Sequence, residues 1–308
     1  MQVSPRQDTS ERVGGTNKSL HQMLRNSILF VGIGILQLAA TVNPLVAADA
    51  ALSTAGQRVN APGVLVIAHR GDSKVAPENT LPAFASAVKA GADMVELDYL
   101  HSADGVPVVF HDKDLDRTTN ACAVWGDMKI RLSEKTLAEL RMLDAGVWFN
   151  QQFAGTLIPT LDEALDTIQA GSITLIERKA GDPNTCVELL KRKKLIPHVV
   201  VQAFDWDFLE GCRKLSDDLA ITALGHKEVT PEKLDDIART GARVIAWEDK
   251  YTTPETIQEI HDRGYKAWAS TVDDPQRVAE LVAAKVDGII TNRPSETREA
   301  IRALLAPN

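Results

Sequence analysis

The chain has 308 residues, 44% of them hydrophobic, and a formal net charge of −8. That length suits one large barrel or two modest domains, and the acidic balance excludes a nucleic-acid partner and a polybasic membrane dock. The first 48 residues carry Arg6, Arg12, Lys18 and Arg25 against Asp8 and Glu11, a net +2, so the remainder alone stands at −10.

The N-terminus reads as a targeting segment. Arg25 precedes an apolar run, Ile28 to Val42, which Pro44 breaks before the small-residue cleavage pattern Val46-Ala47-Ala48. Gln37 interrupts the run, which falls short of the roughly 20 apolar residues a spanning helix needs. A cleavable signal peptide over residues 1–48 is therefore expected, with Met23 as an alternative start that places Arg25 two residues in. The mature protein is then periplasmic or secreted, with no stable membrane span after processing; a retained anchor is the alternative. Cys122, Cys186 and Cys212 are odd in number and not closely spaced, so they indicate no zinc site, and one disulfide or buried free thiols both remain open.

Residues 49–60 read as a flexible lead-in to a barrel over 61–308. Strands are predicted at Val64 to Ala68, Met94 to Asp98, Val106 to Phe110, Ile173 to Ile176, Val199 to Ala203, Ala220 to Leu224, Val244 to Trp247, Ala267 to Thr271 and Gly288 to Thr291. Helices are predicted at Pro82 to Ala90, capped by Asn79 or Thr80, and at Ser133 to Leu143, capped by Ser133. Further helices follow at Leu161 to Gln169, Thr185 to Lys193, Phe208 to Leu215, Pro231 to Thr240, Pro254 to Arg263 and Pro275 to Ala284. The second and third strands are about eight residues apart, too few for a helical crossover, so their link is extended. The near-continuous apolar strands predict a parallel sheet buried on both faces, and the repeated strand–helix units predict an α/β fold of the (β/α)8, TIM-type barrel class. Nine candidates for eight barrel positions leave one strand peripheral.

Barrel sites collect at the C-terminal ends of strands, and the chemistry-bearing residues lie at such ends. Glu96 and Asp98 are two apart on one strand and share a face, as do Glu177 and Lys179 on a later one. Three carboxylates on one cavity need a cation among them. Oxygen-only ligation by Glu96, Asp98 and Glu177 favours one divalent cation, Ca²⁺ or Mg²⁺, over zinc. His69 and His111 each end a hydrophobic strand and are candidate proton carriers. Arg70 and Lys179 are candidate phosphate clamps, with a salt bridge to Glu78 as the alternative role for Arg70. Gly71 lets the backbone approach a ligand. His101, His198, His226 and His261 are expected in loops or on helices, solvated. This inventory fits metal-assisted cleavage of a small phosphodiester.

His69-Arg70-Gly71, Pro77-Glu78-Asn79-Thr80, Glu96-x-Asp98, Asp104-Gly105, His111-Asp112 and Glu177-x-Lys179 together resemble the ordered signature of the glycerophosphodiester phosphodiesterase family, from about Val64 to Pro294. The resemblance implies the same barrel, a metal on Glu96, Asp98 and Glu177, an acid–base pair at His69 and His111, and phosphate contact by Arg70. It implies hydrolysis of glycerophosphodiesters to sn-glycerol 3-phosphate and an alcohol, directly or through a cyclic phosphate. The chain departs from the pattern at Ala203-Phe204, at Ser270-Thr271-Val272-Asp273 with the nearest aromatic at Trp268, and at Thr291-Asn292-Arg293-Pro294. Substrate binding is therefore placed around Trp268, Ser270 and Asp273, with the Asp273 charge favouring a cationic head group such as choline. Two other readings compete. One is a lysophospholipase D-like diesterase, its apolar entry supplied by Trp125, Trp148 and Phe149. The other is a non-catalytic cell-envelope binding module on the same barrel.

Overall fold

In a computed structural model that describes residues 54–306, eight parallel strands close on themselves. The signal-peptide and start-site expectations lie outside the described residues. The strands are β1 (Leu65–Ala68), β2 (Met94–His101), β3 (Pro107–Val109), β4 (Ile173–Arg178), β5 (Val199–Ala203), β6 (Ala220–Gly225), β7 (Val244–Glu248), β8 (Lys266–Ser270) and β9 (Gly288–Thr291). The order β1-β9-β8-β7-β6-β5-β4-β2 is completed by parallel pairing of β1 with β2. The peripheral ninth strand is β3. It runs antiparallel to the last residues of β2, with Tyr99 opposite Val109 and His101 opposite Pro107. The extended link expected before it is a hairpin turn, and β2 runs three residues beyond its predicted end to make the pairing.

Period-two alternation sorts the strand residues into two cores. Leu65, Ile67, Met94, Leu175, Val200, Leu224, Ala246, Trp268 and Ile290 fill the barrel interior. Val66, Val95, Leu97, Ile176, Val201, Ile221, Ile245 and Ile289 face outward under the helices.

The helices are α1 (Ala55–Val59), α2 (Leu81–Lys89), α3 (Ala121–Trp125), α4 (Leu137–Leu140), α5 (Leu161–Gln169), α6 (Pro183–Arg192), α7 (Trp206–Leu215), α8 (Pro231–Ala238), α9 (Pro254–Asp262), α10 (Pro275–Ala283) and α11 (Pro294–Leu305). Four of them start alike. Asp182, Thr230, Thr253 and Asp274 each cap the helix through the side chain, and a proline follows at the first helical position. The cap satisfies an orphan N–H and the proline has none to lose.

Three expectations change. The lead-in is not wholly irregular, because Thr54 closes a capping box on α1, which buries Ala55 and Val59 in the lower barrel core. The helix expected over Ser133 to Leu143 is a 3₁₀ turn, Leu132–Glu134, followed by α4. Its cap is Thr136, because Glu139 three residues on completes a reciprocal capping box that Ser133 cannot make. Finally, α11 adds a helix not predicted above; it buries only Pro294, Thr297 and Ile301.

Between β3 and α5 the chain builds a third small core from Leu115, Leu132, Leu140, Leu143 and Ile158. All three cysteines are free thiols, with Cys186 and Cys212 buried. Among the described residues no helix is long and apolar enough to cross a membrane.

Candidate active site

The alternation that buries Met94 inside the barrel also turns Glu96 and Asp98 inward, and β4 pairs in register so that Asp98 lies beside Glu177. Ligand oxygens of Glu96, Asp98 and Glu177 all lie within 4.8 Å of one another, and all three residues are buried. Burial, with Asp98 and Glu177 nearby, raises the Glu96 carboxyl well above its usual range. Burial and Asp98 raise Glu177 to about 7. Burial also works on Asp98, but Lys179 and Arg70 outweigh it and hold that carboxyl low.

Two observations fit the cluster to a hard cation. Glu96 Oε1 is buried with no hydrogen-bond partner, and Asp98 Oδ1 has none but the Lys179 ammonium, 3.1 Å away. Moreover, every donor atom in the set is a carboxylate oxygen, the type Mg²⁺ and Ca²⁺ prefer.

Local backbone geometry sets the partners. Arg70 takes a positive φ of 56°, which aims its N–H at Glu96 Oε2, 2.7 Å away. Asn79, at φ 58°, grips Asp98 twice: its Nδ2 donates to Oδ2 at 2.8 Å and its Oδ1 accepts from the Asp98 N–H at 3.1 Å. Gly71 is required for a reason other than the expected one. A Cβ there would meet the Ala83 backbone at 2.7 Å, so the close approach is to α2 and not to a ligand.

The two cations expected to clamp phosphate both lie at the cluster. Lys179 pairs with Asp98 and Glu177, and these anions outweigh its burial and raise its pKa. Arg70 Nε lies 3.3 Å from Asp98, and its Nη1 donates to Glu78 at 2.8 Å, the salt bridge expected as its alternative role. Glu78 in turn accepts from Arg117, whose Nε donates to Asp112 at 2.6 Å, and Asp112 meets His111 Nδ1 at 2.6 Å. One chain of charged hydrogen bonds thus runs from the buried cluster to His111. Arg117 carried no signal in the sequence; it is five residues past Asp112 in an irregular loop.

A cavity of about 210 Å³ opens at the mouth between His69, Glu177, Gln202, Phe204, Glu248 and Ser270. Burial, then the charge of Arg70, lowers His69 to about 4, although the residue lines this cavity. Gln202 is buried and its Oε1 has no donor. Phe204 is 51% exposed at the rim. His111 sits apart, in a shallow depression with Asp112 and Arg117, yet close enough to Asp98 to help hold that carboxyl low.

The departures from the family pattern resolve differently from expectation. Trp268 does not reach the mouth; it is fully buried in the interior core, one layer below Ser270, and its indole lies over Gly288. Asp273 is not among the residues that line the cavity. Its carboxylate accepts from the Asn292 N–H at 2.8 Å, Asn292 Nδ2 at 2.7 Å and Thr291 Oγ1 at 3.0 Å. Glu177 and Glu248 are the carboxylates that line the cavity; Glu177 pairs with Lys179, and Glu248 has no ion pair among the described residues. Trp125, Trp148 and Phe149 do not line the cavity; Trp125 lies under Lys135, and Trp148 packs edge-on to Phe149. Of the remaining histidines, His101 ends β2 and packs on Tyr99, and His261 pairs with Asp287, so neither is simply solvated.

Residues 69–296 match the profile of the Glycerophosphoryl diester phosphodiesterase family. A glycerophosphodiester phosphodiesterase of Caldanaerobacter subterraneus subsp. tengcongensis is 34% identical over 245 residues, covering 77% of this chain and 98% of that protein. One from Bacillus subtilis is 31% identical, covering 88% and 97%. The structure of an Oleispira antarctica phosphodiesterase in complex with the product sn-glycerol-3-phosphate superposes with a TM-score of 0.70 at 29% identity, covering 77% of this chain and 96% of that one. With the profile spanning most of the chain and relatives matched nearly end to end, the chain belongs to the glycerophosphoryl diester phosphodiesterase family and is an enzyme of that class.

Proposed function

We propose that this protein is exported and hydrolyses glycerophosphodiesters to sn-glycerol 3-phosphate and an alcohol, using one divalent cation, Ca²⁺ or Mg²⁺, on Glu96, Asp98 and Glu177. The observation that carries the reading is the buried, oxygen-only cluster with an unpartnered Glu96 oxygen beside the His69 cavity, in a member of this family. A cation bound there would supply positive charge against the phosphate oxygens. Arg70 and Lys179 add to it from either side of Asp98.

The histidines divide the proton work. Burial keeps His69 neutral at pH 7, so it starts as the acceptor and takes the proton of the attacking hydroxyl. That hydroxyl is water or a neighbouring hydroxyl of the substrate; the latter route forms a cyclic phosphate, which water then opens. His111 gives a proton to the departing alkoxide, and Asp112 orients it through Nδ1. Gln202 Oε1 is free to accept from a hydroxyl of the bound glycerol.

The test is a diesterase assay on glycerophosphocholine and lysophosphatidylcholine, with and without chelator. Chelator-sensitive release of glycerol 3-phosphate from glycerophosphocholine is expected. Turnover of lysophosphatidylcholine alone would favour the lysophospholipid reading, and no turnover of either would favour a binding module. Export rests on Arg25, the Ile28 to Val42 run and Val46-Ala47-Ala48. A mature N-terminus near Asp49 is expected on sequencing; a retained apolar run would indicate an anchor.

A further inference from the structure

The ends of three neighbouring strands, β8, β9 and β1, meet in one hydrogen-bond relay. His69 Nδ1 lies 2.8 Å from Asn292 Oδ1, and Asn292 Nδ2 donates to Asp273 Oδ2 at 2.7 Å. We propose that Asn292, held by Asp273, is a positioning residue that fixes the tautomer and ring orientation of His69, so that Nε2 is the nitrogen offered to the substrate.

The argument is one of donors and acceptors. An ionised carboxylate can only accept, so the end of the Asn292 amide facing Asp273 must be its NH₂. The backbone N–H of Asn292 and the Thr291 hydroxyl both donate to the other Asp273 oxygen, which fixes the carboxylate in place. The Asn292 amide therefore cannot turn over, and its Oδ1 must face His69. An amide oxygen is likewise only an acceptor, so Nδ1 of the facing imidazole carries the proton. The hydroxyl of Ser73 lies 2.9 Å from the same Oδ1 and 2.8 Å from the His69 carbonyl oxygen, which ties the turn to the relay. A neutral imidazole protonated on Nδ1 holds its lone pair on Nε2, and His69 lines the cavity shared with Glu177. The relay thus does for orientation what a carboxylate partner does elsewhere, without placing a negative charge on the ring.

This inference rests on the reading that His69 moves a proton in diester hydrolysis, but its first test does not. In the metal-free protein labelled with ¹⁵N-histidine, His69 should show a protonated Nδ1 and an unprotonated Nε2. Asn292→Leu should lose that preference, and a tautomer unchanged in Asn292→Leu overturns the proposal. Kinetics on glycerophosphocholine form the second arm. Asn292→Asp sets two carboxylates against each other and should cost at least roughly tenfold in kcat, with KM changed about twofold or less. Adding Asp273→Asn to it restores the donor–acceptor order with the polarity exchanged: the amide, now at position 273, would donate to the carboxylate at position 292, which accepts from His69. The double swap should recover most of the lost turnover. A double variant no better than Asn292→Asp overturns the proposal. If the wild type turns over no glycerophosphodiester, the functional reading fails, while the ¹⁵N spectrum still decides the tautomer.

Discussion

His69 is fastened by a neutral amide inside the barrel wall, and His111 by a carboxylate on a loop, and the regions around them differ in the same sense. Around His69 the partners are short, uncharged or fully paired groups at the ends of adjacent strands. Around His111 they are long charged side chains, Arg117 and Glu78, reaching back to the acid cluster. Both histidines are half-buried, but the charged partners of His111 are open to solvent, 46% exposed at Arg117 and 28% at Asp112, where carrying charge costs little. The difference teaches how one site keeps one imidazole neutral while setting the other in a charged network.

The largest effect should come from the acids that serve both regions. Glu96→Gln, Asp98→Asn or Glu177→Gln should each lower kcat by on the order of 10³. Burial and its acidic neighbours penalise the charged form of Glu96, so the metal-free Tm should hold or rise for Glu96→Gln. Undiminished activity in chelator would sink the cation's role.

Next come the imidazoles. His69→Ala and His111→Ala should each lose at least about 10² in turnover, with cation affinity measured by calorimetry nearly unchanged. A variant that keeps the wild-type rate removes that histidine from the scheme.

The contrast between the regions should also appear as a pH dependence of stability. His69 titrates at about 4 in the folded protein against 6.5 ordinarily, so between those values the unfolded chain binds the extra proton. Its contribution is therefore full above pH 6.5 and is lost as pH falls towards 4, by on the order of 3 kcal/mol. The raised Glu177 works in the opposite direction from pH 7 downward, so the difference between proteins is what isolates His69. In metal-free protein, denaturant titrations should show the wild type losing stability relative to His69→Asn as pH falls from 6.5 to 4. Parallel curves would mean that His69 is not held neutral.

The smallest effect sharpens the comparison. Arg117→Ala cuts the chain that joins Glu78 to Asp112 and should lower kcat by roughly tenfold, on the scale of lost orienting contacts. The tautomer of His69 read from its ¹⁵N signals should not change, because Asn292 and Asp273 take no part in that chain. A change there would show the two regions to be coupled.

Much of this was legible in the sequence for a definite reason. Glu96, Asp98, Glu177 and His69 lie on or next to regular strands, where a spacing of two puts side chains on one face and strand ends meet at one rim. The same rule fails one layer down. Trp268 looked close enough to Ser270 to share the pocket, yet two residues along a strand is a full layer of barrel depth, and Gly288 leaves room for the indole below. Asp273 read as a bare charge because its partner, Asn292, is 19 residues away across a strand boundary. Arg117 lies in an irregular loop, where no period exists to be read. The N-terminal helix was hidden for another reason: five residues bury only Ala55 and Val59, too few to make a pattern.

The barrel closes where β1 meets β9, with Leu65 set against Gly288, and the His69–Asn292 bond spans the same seam. These contacts join segments 223 residues apart, a costly loop to close. Any intermediate with an open sheet lacks the relay, whatever helices it has formed. Refolding followed by turnover should therefore lag refolding followed by helix content, because hydrolysis begins only when the last strand has docked.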